Sequence, residues 1–118
     1  MAKTILIVDD DSDIQKVVSS VLKKEGYVVM TASNGDECLK MAKENKIDLI
    51  LLDIMMPGTS VRTIVPKIKS TKIAYLSIVQ TSEAEREYLL KQKNVVGFIQ
   101  KPFEIKELVT SVNKILAK

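Results

Sequence analysis

Acids, a hydroxyl and an ammonium each stand at the end of a short apolar run. Asp9-Asp10-Asp11 follows the run at 5–8, Asp53 follows 49–52, Ser77 closes 73–77, and Lys101-Pro102 comes just after 95–99. Two adjacent carboxylates brought near a third would repel by roughly 1 kcal/mol per pair at 4 Å in water and about 4 kcal/mol at an effective dielectric of 20. Such a cluster needs a cation. Hard carboxylate oxygens with a remaining need for water suit Mg2+, which keeps several waters and pairs with phosphate oxygens. Lys101 adds an organic cation and turns the group into a phosphate clamp. Singly, the same residues have ordinary roles. Asp11, Ser12 or Asp13 can cap a helix or favour its positive end, the preferred reading for Asp11 and Asp13. Lys101 by itself would be a surface lysine ahead of a turn proline.

The elements that must position these residues alternate along the chain. The continuous apolar runs 5–8, 28–32, 49–52, 73–77 and 95–99 are expected as strands covered on both faces. Between the first two, Ile14, Val17, Val18, Val21 and Leu22 form a helical stripe stopped by Gly26 as a left-handed cap. A second helix should start at Asn34, with Glu37 in capping-box position, and fade by Asn45. A third, at 59–70, contains Pro66, which removes a donor and disfavours helical geometry at Val65, so it is expected kinked or short. A fourth should run over 82–93 from Ser82 with Glu85 behind it, and a fifth carries Ile105, Leu108, Val109, Val112, Ile115 and Leu116. Strands alternating with helices need right-handed crossovers. The expectation is a (βα)5 α/β domain over 1–118, a doubly wound, parallel, five-stranded sheet with helices on both faces. Ligands in such sheets sit outside the carboxyl ends of the strands at a switch in topology, where the acids and the lysine fall.

Composition narrows the classes. A chain of 118 residues, 46% hydrophobic and 28% charged with four Gly and three Pro, reads as one compact globule with no linker or disordered tail. The apolar run at 5–8 is too short for a secretory or membrane segment, so a cytoplasmic protein is expected. With no His and only Cys38, there is no Cys/His zinc site, internal disulfide or triad base. Cys38 reads as a small packed hydrophobe. The net charge of +3 comes from scattered Lys, and aromatics make up 4%, so a solvated surface is expected and no direct DNA contact.

ILIVDD, LILLDIMMPG and FIQKPF together resemble the receiver domains of two-component response regulators, and the resemblance spans the whole chain. It implies a flavodoxin-like fold and a phosphorylation switch. Asp53 is similar to the phosphoacceptor, Asp10 to a direct Mg2+ ligand, Asp9 to one acting through water, and Met55 to the position lending a backbone carbonyl. Lys101 resembles the family's lysine, whose bond to the following proline is commonly cis. Phe98 matches the aromatic switch position; its ordinary reading is a buried strand aromatic. The resemblance further implies a histidine kinase or phosphotransfer protein as donor, since the chain has no His of its own. Output would pass through the fourth helix, fifth strand and fifth helix to a downstream protein or to a second copy of the chain.

Two positions depart from the pattern. The family usually places Thr or Ser at the end of the fourth strand, at a separation from the lysine shorter than the 24 positions between Ser77 and Lys101. Strict spacing selects Val79, which has no donor, so Ser77 is taken as the switch hydroxyl with Thr81 in reserve. Val61 stands where the family often has Gly. Two other functions fit parts of the sequence. One is a receiver-like binding module that never takes phosphate; the other is a haloacid-dehalogenase-like phosphatase, suggested by Asp9-Asp10-Asp11-Ser12 but lacking a later acidic pair.

Overall fold

Every apolar run becomes a strand of one parallel sheet. The computed structural model describes residues 2–54, 56, 61–68, 71–77, 91–101 and 103–117. The strands are β1 (Thr4–Val8), β2 (Val28–Ala32), β3 (Leu49–Asp53), β4 (Lys72–Ser77) and β5 (Val95–Gln100), in the order β2-β1-β3-β4-β5. All neighbouring pairs are parallel. The helices are α1 (Ser12–Lys24), α2 (Gly35–Glu44), the single turn α3 (Val61–Ile64) and a C-terminal helix (Ile105–Leu116). Among the described residues no helix is long and apolar enough to cross a membrane.

Alternating side chains divide each central strand between two cores. Ile5, Ile7, Leu49, Leu51, Ala74 and Leu76 pack with Val18 and Leu22 of α1 and Leu108, Val112 and Leu116 of the C-terminal helix. Leu6, Val8, Ile50, Leu52, Ile73 and Tyr75 pack on the other side with Cys38, Ile64 and Val65. The sheet is therefore wound on both faces. Burying a side chain of this kind contributes about 1.5–3 kcal/mol, so the two rows hold the strands in register. The expectation of cover on both faces holds for β1, β3 and β4 but not for the edges, where Val28 is 50% exposed and Val96 43%. Periodicity reports apolar character and does not report strand order, so edge and centre read alike. Cys38 is fully buried, and burial pushes its thiol up to about 11, which keeps it protonated and inert near neutrality.

The caps explain where the helices begin and end. Asp11 accepts the backbone N–H groups of Asp13 at 2.9 Å and Ile14 at 3.4 Å, so its capping role is realised. At the other end the N–H groups of Gly26 and Tyr27 donate to Lys23 and Leu22 carbonyls, a Schellman closure with Gly26 at φ 97°. Asn34 caps α2 through the Glu37 N–H at 2.9 Å. The expected capping box is displaced by one residue, because Glu37 reaches back to the N–H of Ser33 at 2.7 Å. Pro66 sits in a 3-10 turn (Val65–Lys67) directly after α3, which accounts for where that helix stops, while 59, 60, 69 and 70 of the expected third helix lie outside the described residues. Of the expected fourth helix, 82–90 lie outside the described residues, and 91–93 form a turn and bend leading into β5.

Gly26 offers a clean test of this architecture, since a Cβ there would meet nothing within 4 Å and only the left-handed backbone resists substitution. Gly26→Ala should lower unfolding free energy by about 1–2 kcal/mol in urea titration, and Gly26→Asn by less. An unchanged midpoint for the alanine variant would contradict the closure.

Candidate functional site

The carboxyl edge of the sheet extends the two-residue rows that build one core. Asp9 follows Ile5 and Ile7, Asp53 follows Leu49 and Leu51, and Lys101 follows Ile99. Because β1 and β3 are neighbours with Val8 opposite Leu52, Asp9 and Asp53 emerge side by side. This is the switch point, where β2 lies on one side of β1 and β3 on the other. Beyond Asp53 the chain continues by pairing the Ile54 N–H with the Leu76 carbonyl at 3.0 Å, which fixes how it leaves the strand.

Carboxylate oxygens of Asp9, Asp10 and Asp53 all lie within 4.8 Å of one another. Asp9 is fully buried, Asp53 is 4% exposed, and Asp10 is exposed to solvent. Lys101 follows β5, yet its ammonium lies 3.7 Å from Asp53 Oδ2, across β4, and 2.6 Å from Asp9 Oδ2, across β4 and β3. Asp9 Oδ1 accepts the N–H of Asp11 at 2.9 Å, so each oxygen of this carboxylate has a donor. Such compensation is required for charges this buried. Among the described residues three carboxylates face one ammonium, a formal excess of two negative charges, and the hard oxygens, two of the carboxylates being sheltered and one facing water, fit a partly hydrated divalent cation.

The structure brings together Asp9, Asp10, Asp53 and Lys101. Ser77 ends β4 one residue beyond Leu76, which pairs with Asp53; its side chain lies outside the described residues, as do Met55, Val79, Thr81 and Pro102 with its peptide geometry. Phe98 is half-buried on β5 and meets Tyr75 edge-on, with ring centroids 6.0 Å apart at 63°. Gln15 is a site neighbour that the sequence did not single out. Its amide donates to the Asp9 carbonyl, the Ala32 carbonyl and Ser33 Oγ. A polar residue beside an amphipathic stripe carries no signal of such a role, and only the spatial return of α1 past the end of β1 discloses it.

Residues 5–113 match the family described as the response regulator receiver domain. Response regulator SaeR of Staphylococcus epidermidis is 38% identical over 118 residues, covering 97% of this chain and 50% of that protein. The chain spans about half the length of the curated relatives it matches. Among solved structures, response regulator TrrA of Thermotoga maritima in complex with Mg(2+)-BeF has a TM-score of 0.83 at 32% identity, with 97% of this chain and 99% of that one covered. Chemotaxis protein CheY4 of Vibrio cholerae gives 0.85 at 29% identity, covering 98% and 100%. The phosphatase suggested by the N-terminal acids gives way to this match across nearly the whole sequence. Sheet order, the acid cluster at the switch point and the family match agree, and the chain belongs to the receiver domains of two-component response regulators.

Proposed function

We propose that Asp53 accepts a phosphoryl group from a histidine kinase or phosphotransfer protein and that phosphorylation changes the surface offered to a partner. The observation that carries this reading is the meeting of three carboxylates within 4.8 Å beside the Lys101 ammonium. Asp10 and Asp53 would hold Mg2+ directly with the Met55 backbone carbonyl, and Asp9 through water. When bound, Mg2+ neutralises carboxylate charge and stabilises the transferring phosphoryl group. An Asp53 oxygen attacks phosphorus; the new O–P bond forms as the N–P bond of the partner's phosphohistidine breaks, and the leaving imidazole takes a proton from solvent. Lys101, at 3.7 Å from Asp53 Oδ2, meets the phosphoryl oxygens. Positioning supplies most of the rate, and the same groups orient water for the later hydrolysis.

Phosphorylation adds roughly −1.5 to −2 charge at neutral pH. In this reading Ser77 moves toward the new oxygens, Phe98 turns into the vacated space, and the face of β5, the C-terminal helix and the fourth helix expected from the sequence takes a downstream protein or a second copy of the chain. Only a difference in stability between the two conformers can drive this, so a target that binds the phosphorylated form also stabilises it.

Asp53→Asn should remain folded and lose acid-stable, base-labile labelling from acetyl phosphate or a phosphorylated kinase. In the wild type, beryllofluoride with Mg2+ should shift the Phe98 amide signal, and in the variant it should not. Label at equal stoichiometry in Asp53→Asn contradicts the acceptor, and shifts confined to Asp9, Asp10 and Asp53 contradict the switch.

The two N-terminal acids should separate by measurement. Asp10→Ala should weaken Mg2+ binding more than Asp9→Ala, for which a loss of about tenfold is expected of a residue acting through water. Without metal the order reverses, because removing Asp9 strips the buried Lys101 of its 2.6 Å partner, at a cost of about 3 kcal/mol. Mg2+ titrations and urea unfolding in EDTA read the two effects, and equal behaviour of both variants in both assays contradicts the assignment.

A further inference from the structure

The last rung between β1 and β2 pairs Val8 with Ala32, and beyond it the Asp9 N–H still donates to the Ala32 carbonyl at 3.1 Å. The carbonyl of Asp9 lies past the end of β2, where the strand has no further rung to offer. Gln15, in the first turns of α1, supplies the donor instead: Nε2 is 2.5 Å from the Asp9 carbonyl, 3.3 Å from the Ala32 carbonyl and 3.2 Å from Ser33 Oγ. Two of these partners are carbonyls that only accept, which assigns the amide nitrogen to this side. Its two protons serve three acceptors, and the contact with Asp9 is the shortest.

The carbonyl so held belongs to the peptide that joins Asp9 to Asp10, and a planar peptide turns as one body. Fixing its oxygen fixes the direction in which Asp10 leaves. On the other side of Asp10, the Asp11 N–H is tied to Asp9 Oδ1 at 2.9 Å. Asp10 is thus pinned on both flanks, although its side chain is exposed and repelled by two buried carboxylates. The contact with Ser33, whose N–H donates to Glu37 at 2.7 Å, extends the restraint to the start of α2.

We propose that Gln15 is a positioning residue for the cation site, presetting Asp10 against Asp9 and Asp53 before metal arrives. This rests on the reading of those three acids as the Mg2+ site. Gln15→Met keeps length and helix propensity while removing both protons. Amide chemical shifts followed through a Mg2+ titration should give an affinity about tenfold weaker than wild type, the size expected for a group that orients a ligand. In the wild type, the Gln15 side-chain NH2 signals should move with the same Mg2+ midpoint as the Asp10 backbone amide, a readout that needs no variant to fold. A merely structural role would lower the melting temperature in EDTA while leaving the affinity of the folded variant unchanged. That result, or Gln15 side-chain signals unmoved at saturating Mg2+, overturns the inference and leaves the site reading standing. Absence of Mg2+ binding to the wild type overturns both.

Discussion

Electrostatic crowding at the carboxyl edge of the sheet is the constraint around which this molecule is organised. Asp9 and Asp53 are nearly or fully buried, Asp10 stands beside them, and Lys101 makes ion-pair contact with both buried acids. Like charges this close in a partly dry environment repel by a few kcal/mol per pair. A fold whose whole stability is of order 5–15 kcal/mol can hold them together only if every other element enforces the geometry.

The two-sided core supplies that enforcement. Rows 5-7 and 49-51 are anchored under α1 and the C-terminal helix, so Asp9 and Asp53 are carried forward by packed strands and are not placed by loops. The parallel register between β1 and β3 sets their separation, and burial in both layers prevents slippage. Lys101 is held differently, on an edge strand with β4 between it and β3, and its long side chain brings the charge across. The site therefore joins a rigid acidic half to a basic half hung on the less buried side of the sheet.

Much of this was legible in the sequence. Central parallel strands are buried on both faces and read as unbroken apolar runs, so β1, β3 and β4 stand within a residue of where the runs place them. The ends of the first, third and fifth runs are marked by the change from apolar to polar and charged residues, and that change located Asp9, Asp10, Asp53 and Lys101. The apolar pattern could not say that β2 and β5 are edges, since Val28 and Val96 look like core residues until the strand order is known. Nor could it give details decided by a hydrogen bond choosing between near-equivalent partners: Glu37 takes the N–H of Ser33 in place of that of Asn34, and Gln15 turns inward where an exposed glutamine would serve the helix equally well.

The fold holds the carboxylates together against their own repulsion, which in the proposed reading a divalent cation relieves. Thermal unfolding of wild type and Asp53→Asn, each in EDTA and in saturating Mg2+, measures this directly. In EDTA the variant, with one negative charge fewer, should melt higher than wild type; Mg2+ at about a hundred times its dissociation constant should stabilise wild type by about 2.7 kcal/mol and the variant by much less. A wild type that melts above the variant in EDTA and gains nothing from Mg2+ would contradict the account.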